Sequence, residues 1–501
     1  MFALKKGTVM KKIILTISFV IIFISSSDAS IIRVPADFNN IQTAIDNAQE
    51  GDTIVVSRGT YFENINFRGK GITLTSEFIF SGNFEDVAQT IINGSQPSNP
   101  DSASCVLMYK LDQSSSLDSS AALIGFTLTG GKGTAWEDEH NLGSYYREGG
   151  GILIQYWAPR ILFNIIRNND AYDKTGLTSA GGGGIRCGDG NPTIANNIII
   201  ENRGRYGGGI VLNYAGAVIT NNIIARNSGG EDYAGAGVWI LGNHFQNKVK
   251  LLVNNTIVYN SSATNGGGVF LWGTNNVVVK NNILWGNTAP VNPQLRLTSA
   301  SASISYNDVQ GGYNGTGNIN ENPLFDTTNF YLLPGSLCID AGDSSSVYND
   351  PEDINSPGNA ELPSLGMLRN DMGVYGGPGR TSLPKIVSDV VRNSESQLPK
   401  HFMLNQNYPN PFNPTTKIKF TISSVTLRQA QGDILVSLKI YDILGKEITT
   451  LVNEEKPAGT YEVVFNGEGL ASGVYYYKLT AAPGGGHAGN FSETKKMILL
   501  K

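Results

Sequence analysis

Apolar residues and asparagines recur with one spacing in six consecutive segments between residues 161 and 312. In each segment an apolar residue is followed three positions later by Asn, two positions further by a second apolar residue, and three further by Asn, or by Gly in the last segment. The first asparagines of the six segments are Asn164, Asn197, Asn222, Asn255, Asn282 and Asn307. A fixed period of this kind predicts a repeat architecture in which each repeat stacks on the next.

Short glycine-rich segments precede an apolar stretch in phase with this pattern, at 149–152, 182–185, 207–210, 235–238 and 266–269. The repeats are 25 to 33 residues long and show no helical periodicity. Two or three short strands per repeat, separated by Asn and Gly at the bends, describe one coil of a parallel β-helix. The apolar and asparagine columns would then form internal ladders with neighbours ~4.8 Å apart.

With these columns the chain resembles the right-handed parallel β-helix proteins of the pectin-lyase-like superfamily. The resemblance covers residues 31–380 and implies an all-β solenoid of about a dozen coils. Its beginning also fits, because Ile41, Ala44, Ile45 and Ala48 have the spacing of an amphipathic helix. Such a helix would cap the open end of the tube, where strand edge and apolar interior are otherwise exposed.

Composition and charge limit the partners. The 501 residues contain 59 Gly but only 16 % charged residues, and the net charge of −5 gives no basic surface for nucleic acid. Cys105, Cys187 and Cys338 are odd in number and widely separated, so they predict neither a disulfide framework nor a metal site. Cys187 fits a buried thiol beside Ile185.

The N-terminus predicts export. Basic residues at 5, 6, 11 and 12 precede an apolar run at 13–24, and Ser27 and Ala29 supply small residues before a cleavage point. We interpret residues 1–29 as a signal peptide, since the apolar run is shorter than the ~20 residues that span a bilayer. The mature chain is therefore expected to have no transmembrane segment.

The C-terminus differs in character. Residues 381–401 predict a linker, and short strands at about ten-residue spacing predict an Ig-like β-sandwich in residues 402–501. The segments Asn407-Tyr-Pro-Asn-Pro-Phe-Asn-Pro414, Tyr441-Asp-Ile-Leu-Gly445 and Gly473-Val-Tyr-Tyr476 resemble the C-terminal sorting domain of the type IX secretion system. The resemblance implies that residues 402–501 engage the type IX machinery, and that the protein is secreted or held on the outer surface of a Gram-negative-type envelope.

Candidate ligand-binding residues lie in the longer insertions and at outward positions of the glycine-rich strands. Flat aromatic side chains beside charged ones on a long strand face suit a polysaccharide. These candidates are Trp136, Glu137, Glu139, Tyr145, Arg147, Tyr156, Arg186, Tyr214, Trp239, Phe270 and Trp272.

Near the end of the predicted tube, acidic residues cluster on a loop-rich segment. Oxygen ligands of this kind suit Ca²⁺, although the spacing is not that of an EF-hand. The candidate calcium ligands are Asp340, Asp343, Asp350, Asp353 and Asp371.

The catalytic signatures of pectin-degrading members of the superfamily are not matched, and the sequence identifies no catalytic residue. We expect a protein that binds carbohydrate or a surface partner. Two alternatives stay open: a polysaccharide lyase or glycoside hydrolase acting on acidic glycans, and a structural or adhesive spacer without a site.

Overall fold

The structure is a computed structural model that describes residues 29–111, 113–138, 140–172, 177–229, 235–242, 248–385, 402–422, 434–456, 459–483 and 491–500. The chain divides into two compact units at residues 385 and 386. The predicted signal peptide falls outside the described residues except for Ala29, and so does most of the predicted linker.

The first unit is a tube built from three parallel sheets of ten, nine and eight strands, and each complete coil contributes one strand to each sheet. Sheet A contains Ile31–Val34, Thr53–Val56, Thr73–Ser76, Ala122–Ile124, Arg160–Leu162, Thr193–Ala195, Ala217–Thr220, Lys250–Val253, Val277–Lys280 and Ala302–Ser305. Sheet B contains Gly59–Tyr61, Thr90–Asn93, Thr127–Thr129, Ile165–Arg167, Ile198–Ile200, Ile223–Ala225, Thr256–Val258, Ile283–Trp285 and Asp308–Val309. Sheet C contains Ile65–Asn66, Val106–Tyr109, Ile152–Gln155, Ile185–Gly188, Ile210–Asn213, Val238–Leu241, Val269–Trp272 and Leu295–Thr298.

Two small three-stranded sheets and several short helices lie outside the three long sheets of the tube. An antiparallel sheet joins Ser102–Ala103, Gly133–Glu137 and Tyr145–Glu148, and a parallel sheet joins Arg203–Gly204, Ser228–Gly229 and Ser261–Ser262. Helices lie at Ile41–Asn47, Phe78–Ser81 and Phe84–Gln89, with 3₁₀ turns at Gln113–Leu117 and Ser346–Tyr348.

The asparagine columns are buried ladders inside the bends of the tube. Asn197 Nδ2 donates to Asn222 Oδ1 at 3.0 Å, and Asn222 Nδ2 donates to Asn255 Oδ1 at 3.0 Å. Each Oδ1 also accepts the backbone N–H of the preceding asparagine in its column, as Asn222 Oδ1 does from Asn197 at 2.9 Å. A second ladder links Asn169, Asn202, Asn227, Asn260 and Asn287 in the same way. The ladders satisfy backbone groups that the bends would otherwise leave unpaired.

The capping helix is present where the sequence predicts it. Asn40 Oδ1 caps the helix Ile41–Asn47 by accepting from Thr43 N at 2.8 Å. Ile41, Ala44 and Ile45 are fully buried and belong to the same apolar core as the coils. The helix therefore closes the core at the N-terminal end of the tube.

A long segment returns along the outside of sheet B. Ile223, Thr256 and Ile283 are in register, and their side chains are buried although they point out of the tube. The segment 323–380, called the strap here, crosses this surface: Val374 N donates to Thr256 Oγ1 at 3.0 Å, and Gly373 N to the Asn281 carbonyl at 2.8 Å.

Outward asparagine side chains fasten the strap. Asn221 Nδ2 donates to the carbonyls of Val374 and Gly376, and Asn254 Nδ2 donates to the carbonyl of Asp371. Because residues up to 380 serve the strap, sheet A has ten strands in the described residues rather than about a dozen.

The second unit contains two antiparallel sheets around one apolar core. One sheet holds Met403–Leu404, Thr415–Ile422 and Gly459–Asn466; the other holds Ile434–Tyr441, Glu447–Lys456, Gly473–Pro483 and Phe491–Leu499. This is a small β-sandwich. The predicted fold class, a right-handed parallel β-helix followed by a small sandwich, is confirmed.

Candidate functional site

Three successive coils place chemically different residues at one corner of the tube. Strands Ile152–Gln155, Ile185–Gly188 and Ile210–Asn213 pair in parallel without a shift in register. The residue after each strand has a positive φ of 51–53° and turns the chain toward sheet A. These residues are Tyr156, Asp189 and Tyr214, so a carboxylate lies between two phenol side chains at ~4.8 Å spacing along the stack.

The last residues of the same strands form a second row beside the first. In this row Gly188 lies between Gln155 and Asn213. The Gln155 amide leans over Gly188, where a Cβ atom would be only 2.2 Å from Gln155 Oε1. Gln155 is 1 % exposed, and in the described residues neither its Nε2 nor Asn213 Oδ1 has a hydrogen-bond partner. Buried unpaired polar atoms cost free energy, so these two atoms need a partner that the described residues do not supply.

A hairpin brings a histidine to this corner. Strands Gly133–Glu137 and Tyr145–Glu148 pair antiparallel, and His140 lies in the loop between them. His140 Nε2 is 2.9 Å from Asp189 Oδ2, and the His140 and Tyr214 ring centroids are 4.0 Å apart. The Asp189 carboxylate is almost fully buried and can only accept, so His140 Nε2 is the donor in this contact.

A lysine fixes the backbone of the same corner. Lys248 Nζ donates to the carbonyls of Asp189 at 2.6 Å and Tyr214 at 3.3 Å. Burial lowers the pKa of Lys248. The pKa of Tyr214 is raised, first by burial and then by the charges of Asp138 and Asp189. The Tyr214 phenol therefore stays protonated at neutral pH and can donate a proton or a hydrogen bond. We call Gln155, Tyr156, Asp189, Asn213, Tyr214 and His140 the corner site.

The sequence-predicted site residues separate into three places. Tyr156 and Tyr214 belong to the corner site. Trp136, Glu137 and Tyr145 lie on the hairpin that carries His140: Trp136 packs edge-on against Tyr109 with centroids 5.4 Å apart, Glu137 accepts the Gly143 N–H, and Tyr145 is half exposed. Glu139 lies outside the described residues.

Two predicted arginines are buried in ion pairs. Arg186 contacts Glu148 at 2.7 Å, and both side chains are almost completely covered. Arg147 donates to the Gly133 carbonyl at 3.0 Å and contacts Asp101 at 3.3 Å. The Arg186 guanidinium therefore ties the hairpin to sheet C, whereas Arg147 ties it to the turn that precedes Ser102–Ala103.

Three predicted aromatic residues pack in a cluster on the outside of sheet C. Trp239 and Phe270 are 3 % and 5 % exposed and pack with Val211, while Trp272 is partly buried against them. The Tyr206 ring covers Trp239 at 4.6 Å between centroids. Outward apolar side chains one coil apart are close enough to exclude water from one another, so the flat faces of Trp239 and Phe270 are not on the surface.

Five residues of this corner were not among the candidates predicted from the sequence: His140, Gln155, Asp189, Asn213 and Lys248. A signal for three of them was present, because the glycine-rich segments align as Gly-Gly-Gly-Ile followed by Leu-Ile-Gln-Tyr, Arg-Cys-Gly-Asp and Val-Leu-Asn-Tyr. The alignment places 155, 188 and 213 in one column and 156, 189 and 214 in the next. Lys248 has no repeat signal.

The acidic residues predicted as calcium ligands bind backbone and side-chain donors. Asp371 accepts from the N–H groups of Asp340 and Leu365 at 2.8 Å each, and Asp350 accepts from Asp371 N and Gly377 N. The remaining three contact nearby donors: Asp343 pairs with Lys280, Asp340 accepts from Met367 N, and Asp353 accepts from Asn355 N.

No group of three or more His, Cys, Asp or Glu side chains in the described ranges is arranged to hold a metal ion. The acids hold the folded strap together, and a calcium site stays a prediction.

The comparisons with known proteins concern both units. Residues 406–499 match the family of secretion system C-terminal sorting domains. No curated protein matches the chain. Among solved structures, the chain is similar to a pectin methylesterase in complex with a hexasaccharide, at 10 % sequence identity and a TM-score of 0.34. That match covers 60 % of this chain and 94 % of the other.

Tube and sorting domain together define a class: this is a secreted parallel β-helix protein that carries a type IX sorting domain. The predicted route and location, export to the outer cell surface by the type IX machinery, are confirmed. Within the described part of the chain, no helix is long and apolar enough to cross a membrane.

Proposed function

We propose that this protein binds a polysaccharide at the corner site while it is at the cell surface. The observation that supports this function is the pair of buried polar atoms without partners, Gln155 Nε2 and Asn213 Oδ1. One is a donor and the other an acceptor, and hydroxyl groups of a sugar can pair with both kinds of atom once the side chains that cover them move aside.

The surroundings of these two atoms favour a sugar over other ligands. Tyr156 and Tyr214 flank the site, and an aromatic ring can pack against the apolar face of a pyranose. Charged groups of both signs lie nearby, with Asp138 and Asp189 beside Lys248. A mixed, mainly neutral and polar site suits a ligand rich in hydroxyl groups. The parallel stack of coils also offers the same positions repeatedly, as an extended polymer requires.

Affinity electrophoresis and calorimetry of the full secreted chain against neutral and uronate-containing polysaccharides test the proposal. Tyr214→Ala should weaken binding of the recognised polymer about two- to tenfold, since a packed aromatic contributes about 0.5–1.5 kcal/mol. Phe62→Ala is the matched control, because Phe62 is half exposed on an early coil and outside the corner site. It should bind as the unmodified protein does.

The variant Gly188→Ala tests the contribution of the Gln155 side-chain amide to binding. The added Cβ would displace the flexible end of Gln155 and leave the backbone of the coil in place. Binding should fall while the thermal stability of the tube changes little. Retention of full affinity by both Tyr214→Ala and Gly188→Ala, or no binding to any polymer, would contradict the proposal and favour a spacer without a site.

A further inference from the structure

A turn in the sorting domain, at residues 442–446, presents two apolar side chains to solvent. It joins two neighbouring strands of the four-stranded sheet. Ile443 is 69 % exposed and Leu444 is 88 % exposed. Asp442 Oδ1 fixes the turn by accepting from the N–H groups of Leu444 and Lys446 at 2.9 Å each. Because the turn is held by its own hydrogen bonds, both apolar side chains project from it in a fixed position.

The outward face of the sheet beside this turn carries tyrosine and lysine side chains. Tyr476 lies between Tyr441 and Lys496 in the strand register, and Lys478 lies beside Thr494. The residues that alternate with them in the same strands belong to the buried core of the sandwich, so these side chains point away from the core. A shallow groove of about 410 Å³ opens between this face and the turn.

This end of the sheet has unbalanced positive charge. Lys439 is neutralised by Glu447 at 2.9 Å. Among the residues that the structure describes, no ion pair is formed by three further lysines around the turn, which are Lys446, Lys478 and Lys496. Asp442 is the acidic residue that lines the groove, and its Oδ1 is already occupied by two N–H groups. The surroundings of the two apolar side chains therefore attract anions.

We propose that this end of the sorting domain docks on the surface of an anionic lipid bilayer. The docking residues, called the tip face here, are Tyr441, Ile443, Leu444, Lys446, Tyr476, Lys478 and Lys496. Ile443 and Leu444 would enter the apolar side of the interface, and the three lysines would lie at the level of the lipid phosphates. Tyrosine side chains suit the same level, because they have an apolar ring and a polar hydroxyl group. The inference does not depend on the corner site.

The chemistry of the tip face favours a bilayer over a protein partner. Lysine is depleted in protein–protein interfaces, because its ammonium group loses hydration there, whereas at a bilayer surface it stays in water beside phosphate. The outer face of the opposite sheet shows the contrast. There Val464 lies within a strand and not on a projecting turn, and Lys417 is paired with Glu462 at 2.8 Å.

The test measures co-flotation of the full secreted chain with two kinds of vesicle. One contains phosphatidylcholine alone, and the other contains equal parts of phosphatidylcholine and anionic phosphatidylglycerol. Binding is expected on the anionic vesicles, and it should weaken as salt is added because salt screens the lysine charges. Lys478→Ala should weaken binding about fivefold, as expected for one lysine near an anionic surface. Leu444→Ser should weaken it about tenfold through the loss of apolar burial.

Matched controls come from the opposite sheet of the same domain. Lys419→Ala removes an exposed lysine, and Val464→Ser removes an apolar side chain that is 60 % exposed. Both controls should bind vesicles as the unmodified protein does. All four substitutions change solvent-exposed side chains, so thermal melting should be the same in every variant.

Three results would overturn the inference: no binding to the anionic vesicles, equal binding to both kinds of vesicle, or equal losses from the tip-face variants and the controls. Surface labelling of cells that express Leu444→Ser identifies the alternative partner. Lost export of this variant without any vesicle binding would assign the tip face to a protein of the export machinery. None of these results bears on polysaccharide binding at the corner site, so the two proposals fail separately.

Discussion

Replacement of Asn222 by alanine should destabilise the tube far more than replacement of an exposed asparagine. Asn222 is fully buried in the middle of its ladder. Its Oδ1 accepts from the backbone N–H and Nδ2 of Asn197, and its Nδ2 donates to Asn255 Oδ1 and to the Ile194 carbonyl at 2.8 Å. Alanine removes every one of these side-chain contacts and offers nothing in their place.

The expected loss in the free energy of unfolding follows from the buried polar groups that lose Asn222 as a hydrogen-bond partner. The Asn197 N–H is directed at Asn222 Oδ1 and would be buried without an acceptor, which costs about 1–3 kcal/mol. Each lost amide donation adds about 0.5–1.5 kcal/mol. A loss of about 3 kcal/mol in the free energy of unfolding is therefore expected. Asn39→Ala is the control, because Asn39 lies exposed before the capping helix and should change stability by less than about 0.5 kcal/mol.

Tryptophan fluorescence during denaturation with urea measures the effect on the tube alone. All five tryptophans lie between residues 136 and 285, so the sorting domain contributes no tryptophan signal. Stacked repeats can unfold in more than one step, so the midpoint of the fluorescence transition is compared directly between variants. An Asn222→Ala midpoint no lower than that of Asn39→Ala would refute the view that the ladders stabilise the bends.

Three further predictions concern pH, thiols and export. Burial, together with the charge of a neighbouring Asp, raises the pKa of Asp350 to about 8 and that of Asp371 to about 7, from 3.8. Because the folded pKa exceeds the unfolded one, the two protonated carboxyl groups stabilise the folded state fully below about pH 4, and this stabilisation is lost as pH rises through about 8. Asp350→Asn should therefore show a smaller fall in melting temperature between about pH 5 and pH 8 than the unmodified protein. Burial raises the pKa of Cys187 to about 12, so a thiol reagent should react slowly with native protein and quickly after unfolding. Deletion of residues 402–501 should keep the protein from the cell surface, as cell fractionation and surface labelling can measure.

The fold was predictable because neighbouring coils repeat the same environment. Ile161, Ile194 and Ile219 meet in register inside sheet A, and the shared spacing of the sequence reports that fact directly. The strap has no such signal. Its contacts join residues far apart in the chain, such as Val374 and Thr256, and only the outward asparagines that hold it recur from coil to coil.

The corner site was predictable only in part for a related reason. Tyr156 and Tyr214 stand out as aromatic residues at outward positions, but Gly188 and Asp189 differ from their neighbours in the column. Trp239 looks the same in sequence as an exposed sugar-binding residue, and only the ring of Tyr206 above it shows that it is buried. Side-chain cover by another coil depends on loop conformation, which the repeat pattern does not encode.

The strap makes the order of chain synthesis matter. The coils that contain Thr256 and Ile283 are synthesised first, but the strap residues that contact them, Gly373 and Val374, follow about 90 to 120 positions later. A nascent or truncated chain that stops near residue 312 would expose the outward apolar side chains of sheet B to solvent. Such a chain would tend to self-associate. Fragments of the tube should accordingly extend through residue 380. In an exported chain, the coils stay prone to aggregation until the strap has folded onto sheet B.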